Sequence, residues 1–215
     1  MTPTEPAAYA KFWEKNAMFD DAWTAVHAGQ FRGKKVLDVG AGYARQSFVF
    51  ALHGAFVTHL DVVRKNLDRI ELLAKHYGVE QRIRTVHLTD VESAEQALEG
   101  EQFDVVLFFG SMHHMPREYI RKEAHMYFRH LRVGGRLIQL AYPSARWFCY
   151  NGGLTFPEFC AATDHTCPWA EWYDLEKALA TFHPYKFNVL YAGMVGAYEF
   201  TWWDLVLAGK TEEEK

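Results

Sequence analysis

The sequence predicts an α/β domain in which helices cover both faces of a mostly parallel sheet. Two observations carry this prediction. Short apolar runs alternate with longer amphipathic runs between residues 34 and 141, which is the pattern of repeated β-α-β units. The length of 215 residues and the hydrophobic content of 49% suit one domain with a sizeable core. A doubly wound architecture is therefore expected.

The first part of this pattern contains strands separated by helices. The first strand is a largely apolar run that ends at Gly40, and Gly54 and Gly78 stop the two helices that come next. The strands are expected at Lys35–Val39, Ala55–Leu60, Arg82–Leu88 and Phe103–Phe109, and the helices at Ala44–His53, Val63–Tyr77 and Val91–Leu98.

The chain after Phe109 continues with a helix, a strand and a terminal hairpin. Pro116 stands where a first-turn proline belongs, and it opens a helix that reaches about Leu131. The pair Gly134-Gly135 is expected to turn the chain into a fifth strand. The later elements are the strand Arg136–Ala141, a helix at Leu175–Phe182, and an antiparallel pair of strands at Phe187–Met194 and Tyr198–Val206.

Composition argues against several classes of protein. Lys and Arg are scattered and the net charge is −4, so nucleic acid is not an expected partner. The apolar runs are too short to cross a bilayer and the first ten residues do not resemble a signal peptide, so we expect a cytoplasmic protein without membrane contact. Three cysteines form no CxxC pair and eleven histidines lack metal-binding spacing, so neither a disulfide framework nor a metal is expected.

Candidate binding residues lie where the predicted strands end. Gly40 and Gly42 follow the first strand, where they permit a tight turn and let the backbone approach a ligand. Asp61 ends the second strand, where a carboxylate can accept both hydroxyls of a ribose. Asp90 ends the third strand, where the edge of a base could lie. Either aspartate could instead cap the helix after it, but the series of strand ends favours a nucleoside site.

At these residues the sequence resembles the class I S-adenosylmethionine-dependent methyltransferases of small-molecule type. Residues 36–44 resemble the glycine-rich first motif of that family, Asp61 its acidic residue after strand two, and residues 88–91 its adenine-binding segment. Residues 103–115 resemble its fourth motif, and residues 131–138 resemble the turn before its fifth strand.

The resemblance implies a Rossmann-like, doubly wound sheet of seven strands with an antiparallel last strand, and S-adenosylmethionine as the cofactor. Two departures from the family pattern are small: Ala44 replaces a third glycine, and Val133 replaces a proline. The implied cofactor-binding residues are Asp38, Gly40, Ala41, Gly42, Asp61, Val62, Asp90, Val91, Phe109 and Ser111.

Two other functions remain open at this point. A nicotinamide-dependent oxidoreductase would share the fold, but its fingerprint G-x-G-x-x-G needs glycine where this chain has Arg45. A non-catalytic module that binds a nucleoside is the second alternative. The fourth motif and the aromatic residues near the end of the chain favour an enzyme.

Methyl transfer to a hydroxyl is assisted by a general base, and histidine titrates near neutral pH. His113 and His114 follow the fourth strand in the loop expected to face the methyl group, so they are the candidate catalytic residues. A structural or pocket-shaping role is the alternative for both. His165 is a second, weaker candidate.

Aromatic residues outside the motifs suggest where the methyl acceptor binds. The run Tyr9–Trp23 reads in part as a helical lid, and the stretch Tyr142–Tyr173 reads as a cap; such rings suit apolar rings, sugar faces or cations. Both segments could also simply cover the sheet. Of Trp202 and Trp203, one is expected in the core and the other at the surface or in the pocket. The expected acceptor-binding residues are His114, Trp147, Tyr150, His165, Trp169, Trp172 and Trp202.

One domain with four regions is therefore expected, acting as a monomer or a homodimer on a small-molecule substrate. The regions are an N-terminal lid (1–33), a cofactor-binding core (34–141), an acceptor cap (142–173), and a C-terminal helix and hairpin (174–208). No D/N-P-P-Y motif follows the fourth strand, which makes an adenine or amide nitrogen a less favoured acceptor. A hydroxyl or amine of a natural-product or sugar-like metabolite is the first choice.

Overall fold

The computed structural model describes residues 7, 10, 11, 14, 24, 27–163 and 169–210. Its strands form a seven-stranded sheet in the order β3-β2-β1-β4-β5-β7-β6. The strands are β1 (Lys35–Val39), β2 (Phe56–Asp61), β3 (Ile83–His87), β4 (Phe103–Phe109), β5 (Leu131–Ala141), β6 (Tyr185–Val195) and β7 (Phe200–Lys210).

Strand direction agrees with the expected architecture. Strand β1 pairs in parallel with both β2 and β4, and β2 pairs in parallel with β3. The last strand, β7, is antiparallel to its two neighbours, β5 and β6. The predicted doubly wound, mostly parallel sheet with an antiparallel last strand is confirmed.

The helices are close to the predicted ones. They are α1 (Arg45–Leu52), α2 (Arg64–Tyr77), α3 (Val91–Ala97), α4 (Arg117–Arg129), α5 (Ser144–Tyr150), α6 (Phe156–Thr163) and α7 (Leu175–Phe182). Pro116 is the residue before α4 and has φ of −57°, which suits the start of a helix.

One predicted turn is wrong. The glycine pair at residues 134 and 135 lies inside β5, which begins at Leu131, instead of preceding the strand. Gly134 has φ of +80°, a conformation that glycine adopts without steric cost, and pairing with β7 starts at Arg136. The glycines therefore bend the long strand β5. They do not separate α4 from a short fifth strand.

The chain divides into two compact units, residues 1–107 and 108–215. In the first unit, apolar side chains of α1 and α2 pack together: Phe48, Leu67, Ile70 and Leu73 are buried. Ala10, from the segment predicted to form a lid, is buried in the same cluster. The aromatic residues predicted for that lid lie outside the described residues.

In the second unit, Phe128 of α4 is surrounded by aromatic rings. Phe182, Tyr185 and Phe187 contact it edge-on, with centroids 5.0 to 5.3 Å away. Trp202 and Trp203 of β7 are both buried, so the prediction of a surface position for one of them was wrong, and a pocket position for Trp202 stays a prediction. Consecutive residues of a strand point to opposite faces of a sheet, and here both faces are covered.

Three further expectations concern the whole chain. Within the residues that the structure describes, no helix is long and apolar enough to span a membrane. The same residues include no cluster of three or more His, Cys, Asp or Glu side chains arranged to hold a metal ion. Cys149 is exposed and Cys160 is buried, and both are free thiols; Cys167 lies outside the described part.

Candidate functional site

In the loop between β1 and α1, every second residue has a left-handed backbone conformation. Gly40, Gly42 and Ala44 have φ of +70°, +51° and +51°. The backbone amides of Gly40 and Ala41 both donate to the carbonyl of Leu60 at the end of β2. Ala44 is the residue that replaces the family's third glycine, and its methyl group pays a steric cost of about 1 kcal/mol in this conformation. The position therefore has a glycine-like geometry without a glycine.

Asp61 fixes this loop from the end of β2. Its Oδ2 accepts the amide N–H of Gly42 at 2.7 Å and the side-chain amide of Asn66 at 3.1 Å. Its Oδ1 accepts the amide N–H of Val63 at 2.7 Å. A carboxylate has about four acceptor positions, so these donors leave one, on Oδ1. Asp61 can thus accept one further hydroxyl, and a second only if Asn66 turns away.

Asp38 belongs to a buried network behind the loop. Its Oδ2 accepts the hydroxyl of Ser47 at 2.6 Å and contacts Nδ1 of His59 at 3.2 Å. The oxygen of the hydroxyl also lies 3.2 Å from the carbonyl oxygen of Ala44. The predicted cofactor-binding residue Asp38 therefore ties β1 and β2 to the first turn of α1, which has no side-chain cap of its own.

The end of β3 lies beside the end of β2. The amide of Leu88 donates to the carbonyl of Asp61, and Nε2 of His87 donates to the carbonyl of Val62. Asp90 is the N-cap of α3 and forms a capping box with Ser93, which also lowers the pKa of the Asp90 carboxyl. The capping alternative thus holds for Asp90, whose carboxylate remains exposed.

Apolar side chains are exposed around these strand ends. Val62 and Val91, both predicted to bind the cofactor, are 69% and 37% exposed. Tyr43 in the glycine loop is also exposed. Such side chains beside carboxylates offer an apolar surface to the face of a base.

In the second unit, the loop after β4 contains the predicted catalytic histidines. His113 is buried, and Nδ1 of its ring accepts the backbone N–H of Tyr142 at 3.3 Å. Burial lowers the pKa of His113 well below its usual value, and the nearby His114 and Arg146 lower it further. His113 is therefore neutral, with its proton on Nε2. It can donate a hydrogen bond but is a poor base.

His114 is less buried than His113, and the two rings lie 4.3 Å apart. The backbone amide of His114 donates to the carbonyl of Ser111, the residue that begins this short turn. Phe109 at the end of β4 packs edge-on against Trp202, with centroids 5.0 Å apart. Of the two histidines, His114 has the environment that better suits a base.

The aromatic residues predicted to line the acceptor site fall into two groups. Trp169 is 2% exposed and packs with Phe159 and Cys160 in the core of the segment after β5. Trp147 and Trp172 are partly buried against that core, and Tyr150 is 50% exposed. The structure thus places Trp169 in the core, not on a binding surface. His165 lies outside the described residues.

Several residues of these sites were missed from the sequence. Asn66 lies in α2 and contacts Asp61, and His59 lies in β2 and contacts Asp38. Nothing in the sequence indicates either contact. Arg146 was also missed, although one signal could have found it. It is the only Lys or Arg between Tyr142 and Tyr173 in an aromatic-rich segment.

Comparison with known proteins agrees with this geometry. A family model described as a methyltransferase domain matches residues 36–135. Ubiquinone biosynthesis O-methyltransferase from Bordetella parapertussis is 32% identical over 119 residues, which cover 51% of this chain and 48% of that protein. The same enzyme from Psychrobacter arcticus is 39% identical over 84 residues, or 39% of this chain and 32% of that one. The chain spans about half the length, or less, of these relatives.

Solved structures share the fold over most of the chain. Magnesium protoporphyrin IX methyltransferase from Synechocystis with bound S-adenosylhomocysteine has a TM-score of 0.66 at 19% identity, covering 87% of this chain and 81% of that one. An N1-methyltransferase of 1,6-didemethyltoxoflavin from Burkholderia thailandensis, solved with that compound and S-adenosylhomocysteine, has a TM-score of 0.63 at 18% identity, covering 95% and 87%.

The strand order is that of the Rossmann-like methyltransferase fold. Residues 36–135, which contain the glycine loop and Asp61, are similar to a methyltransferase domain. The alternative of a nicotinamide-dependent oxidoreductase finds no support among these similar proteins.

Proposed function

We propose that the protein transfers the methyl group of S-adenosylmethionine to a hydroxyl or amine of a small metabolite, of natural-product or sugar-like type. The observation that carries this proposal is the arrangement at the ends of β1 and β2. There Asp61 holds the glycine loop and keeps one acceptor position on Oδ1. A ribose hydroxyl supplies the donor that such a position needs.

The residues at these strand ends fit the proposed cofactor. S-adenosylmethionine carries a ribose and an adenine but no phosphate, and the loop offers a carboxylate and exposed apolar side chains instead of a pyrophosphate cradle. Asp61 would hold the ribose, and Val62 and Val91 would lie against the adenine, with Asp90 at its edge. Residues 40–42 would approach the amino acid portion through their backbone.

S-adenosylmethionine supplies an electrophilic methyl carbon on a positively charged sulfur, which is a good leaving group. The protein's residues must therefore mainly exclude water and hold the acceptor in line. Where the acceptor is a hydroxyl, His114 would take its proton. His113 would remain neutral and support the loop through its hydrogen bond with Tyr142.

The aromatic segment after β5 supports a small acceptor with an apolar or planar part. The similar proteins named above include an enzyme of ubiquinone biosynthesis that methylates oxygen and one that methylates a nitrogen of a toxoflavin precursor. Rings such as Trp147 and Trp172 contact planar molecules well.

The proposal is tested by a methyl-transfer screen. The purified protein is incubated with S-adenosylmethionine that carries an isotopically labelled methyl group and with pooled metabolites, and products are read by mass spectrometry. We expect labelled small molecules, and their loss in an Asp61→Ala variant. Label found only in protein or nucleic acid would contradict a small-molecule acceptor.

A further inference from the structure

Arg146 lies in an aromatic setting at the start of the segment that follows β5. Its guanidinium carbon is 3.8 Å from the ring centre of Tyr142, and the rings of Trp169 and Phe200 are 5.7 and 5.6 Å away. The ring of His113 stacks on Tyr142 at 3.7 Å. Two groups this close to one ring centre must occupy its opposite faces, so Tyr142 separates the imidazole from the guanidinium.

Two other partly buried cations of the second unit, Lys177 and Arg136, have a counter-ion, whereas Arg146 has none among the described residues. Lys177 lies over the ring of Trp172 and forms an ion pair with Glu171. Arg136 forms a two-point ion pair with Asp204. Among the described residues, no carboxylate lies within ion-pair distance of Arg146.

The guanidinium of Arg146 has one described polar partner. One of its N–H groups donates to the backbone carbonyl of Glu199 at 3.4 Å, which is a long hydrogen bond. A guanidinium has five N–H donors in a planar arrangement that matches a carboxylate. Within the described part of the chain most of these donors have no partner, so they remain for a ligand. Contact with the ring of Tyr142 limits the motion of the guanidinium, which lowers the entropic cost of binding.

The segment that contains Arg146 is hydrogen-bonded to residues that follow β4 and β5. The carbonyl of His113 accepts the amides of Ala170 and Glu171, and the carbonyl of Tyr142 accepts the amide of Tyr173. These bonds tie the end of the aromatic segment to residues that follow the carboxyl ends of β4 and β5, where α/β folds bind their ligands.

We propose that Arg146 is an anion-binding residue of the acceptor site and that the methyl acceptor carries a carboxylate next to a planar ring. This inference rests on the proposed function and narrows its substrate class. A single positive charge beside neutral rings matches a single negative charge, so a carboxylate is favoured over a doubly charged phosphate. The partly buried ring of Phe200, 5.6 Å from the guanidinium carbon, would contact the planar part of the acceptor.

The test uses benzoate and benzamide, which have the same ring and differ in charge. Each is titrated by NMR at millimolar concentration into the whole protein saturated with S-adenosylhomocysteine. We expect benzoate to bind at least about tenfold more tightly than benzamide, the value of a hydrogen bond to a charged group. Arg146→Gln should remove this preference, and Arg146→Lys should keep part of it.

Arg121→Gln is the matched control, because Arg121 is an exposed arginine of α4 in the same unit. It should leave the preference for benzoate unchanged. If Arg146 were only structural, Arg146→Gln would lower the melting temperature and leave the ratio of the two affinities as in the wild type, which would overturn the proposal. Equal binding of the two compounds, or binding of neither, would also overturn it.

S-adenosylhomocysteine binding separates this inference from the proposed function. If the protein binds S-adenosylhomocysteine but shows no benzoate preference, only the role of Arg146 fails. If it binds no S-adenosylhomocysteine, the proposed function fails and the assignment of Arg146 to an acceptor site fails with it.

Discussion

The strand ends of the first unit and the aromatic segment of the second unit are held together by different kinds of interaction. In the first, the carboxylate of Asp61 accepts backbone amides and the carboxylate of Asp38 accepts the hydroxyl of Ser47, all in short hydrogen bonds. In the second, rings and the cation of Arg146 contact one another with few polar bonds. Directional hydrogen bonds suit a ligand that does not vary, such as the cofactor. Packed aromatic rings can be replaced by other side chains that suit different methyl acceptors.

Trp169→Ala tests this contrast with the largest expected effect. Because the ring is buried in the core of the aromatic segment, its removal should lower the free energy of unfolding by about 3–5 kcal/mol. Urea denaturation measures this loss. Phe148→Ala is the control, since that ring is 65% exposed and its loss should cost much less. A stable Trp169→Ala variant that has lost only methyl transfer would instead make this ring part of the acceptor pocket.

Asp61→Ala probes the first unit. Cofactor affinity should fall by about 1.5–3 kcal/mol, because a hydrogen bond to a charged group is lost. The melting temperature should fall as well, because the amides of Gly42 and Val63 lose their acceptor.

Asn66→Ala is its matched control. This change removes one donor from the Asp61 carboxylate and frees an acceptor position, so affinity for S-adenosylhomocysteine should stay the same or increase. Calorimetric titration measures both variants. An equal loss of affinity in both would mean that Asp61 acts only by holding the loop.

The pH dependence of stability tests the neutral state of His113. Its pKa is lowered in the folded protein, so the unfolded chain binds the proton more tightly. The contribution of this difference to the free energy of unfolding is fully present above the unfolded pKa of about 6.5. It is lost as pH falls below that value, by at most about 1.4 kcal/mol per pH unit.

His113→Asn should remove that part of the pH dependence, while its side-chain oxygen can still accept the amide of Tyr142. Urea denaturation of both proteins between pH 7.5 and 5.5 gives the comparison. Parallel stability curves would show that His113 is not held neutral by the fold.

Ala44→Gly has the smallest expected effect. The left-handed conformation of Ala44 is strained, and glycine relieves that strain while adding freedom to the unfolded chain, so stability should rise by up to about 1 kcal/mol. Ala124→Gly, in the middle of α4, should instead lower stability by at least about 0.5 kcal/mol. Loss of stability in the Ala44 variant would argue against a strained loop.

The same contrast explains what the sequence could predict. Gly40, Gly42 and Asp61 were identified because their spacing follows from strand ends that any fold of this kind must have. The residues that donate hydrogen bonds to Asp61 were not identified, because Asn66 and Val63 contact the carboxylate only once the helix after it has formed. Trp169 and Arg146 depend on how one segment packs on itself, and aromatic content alone does not say which ring is buried.

The central claim is that the strand ends of the first unit bind S-adenosylmethionine and not a dinucleotide. Calorimetric titration of the wild-type protein with S-adenosylhomocysteine and, separately, with a nicotinamide dinucleotide tests it directly. We predict a dissociation constant in the micromolar range for the first, on the order of typical enzyme ligands, and no binding of the second. Tight binding of the dinucleotide with none of S-adenosylhomocysteine would contradict the account.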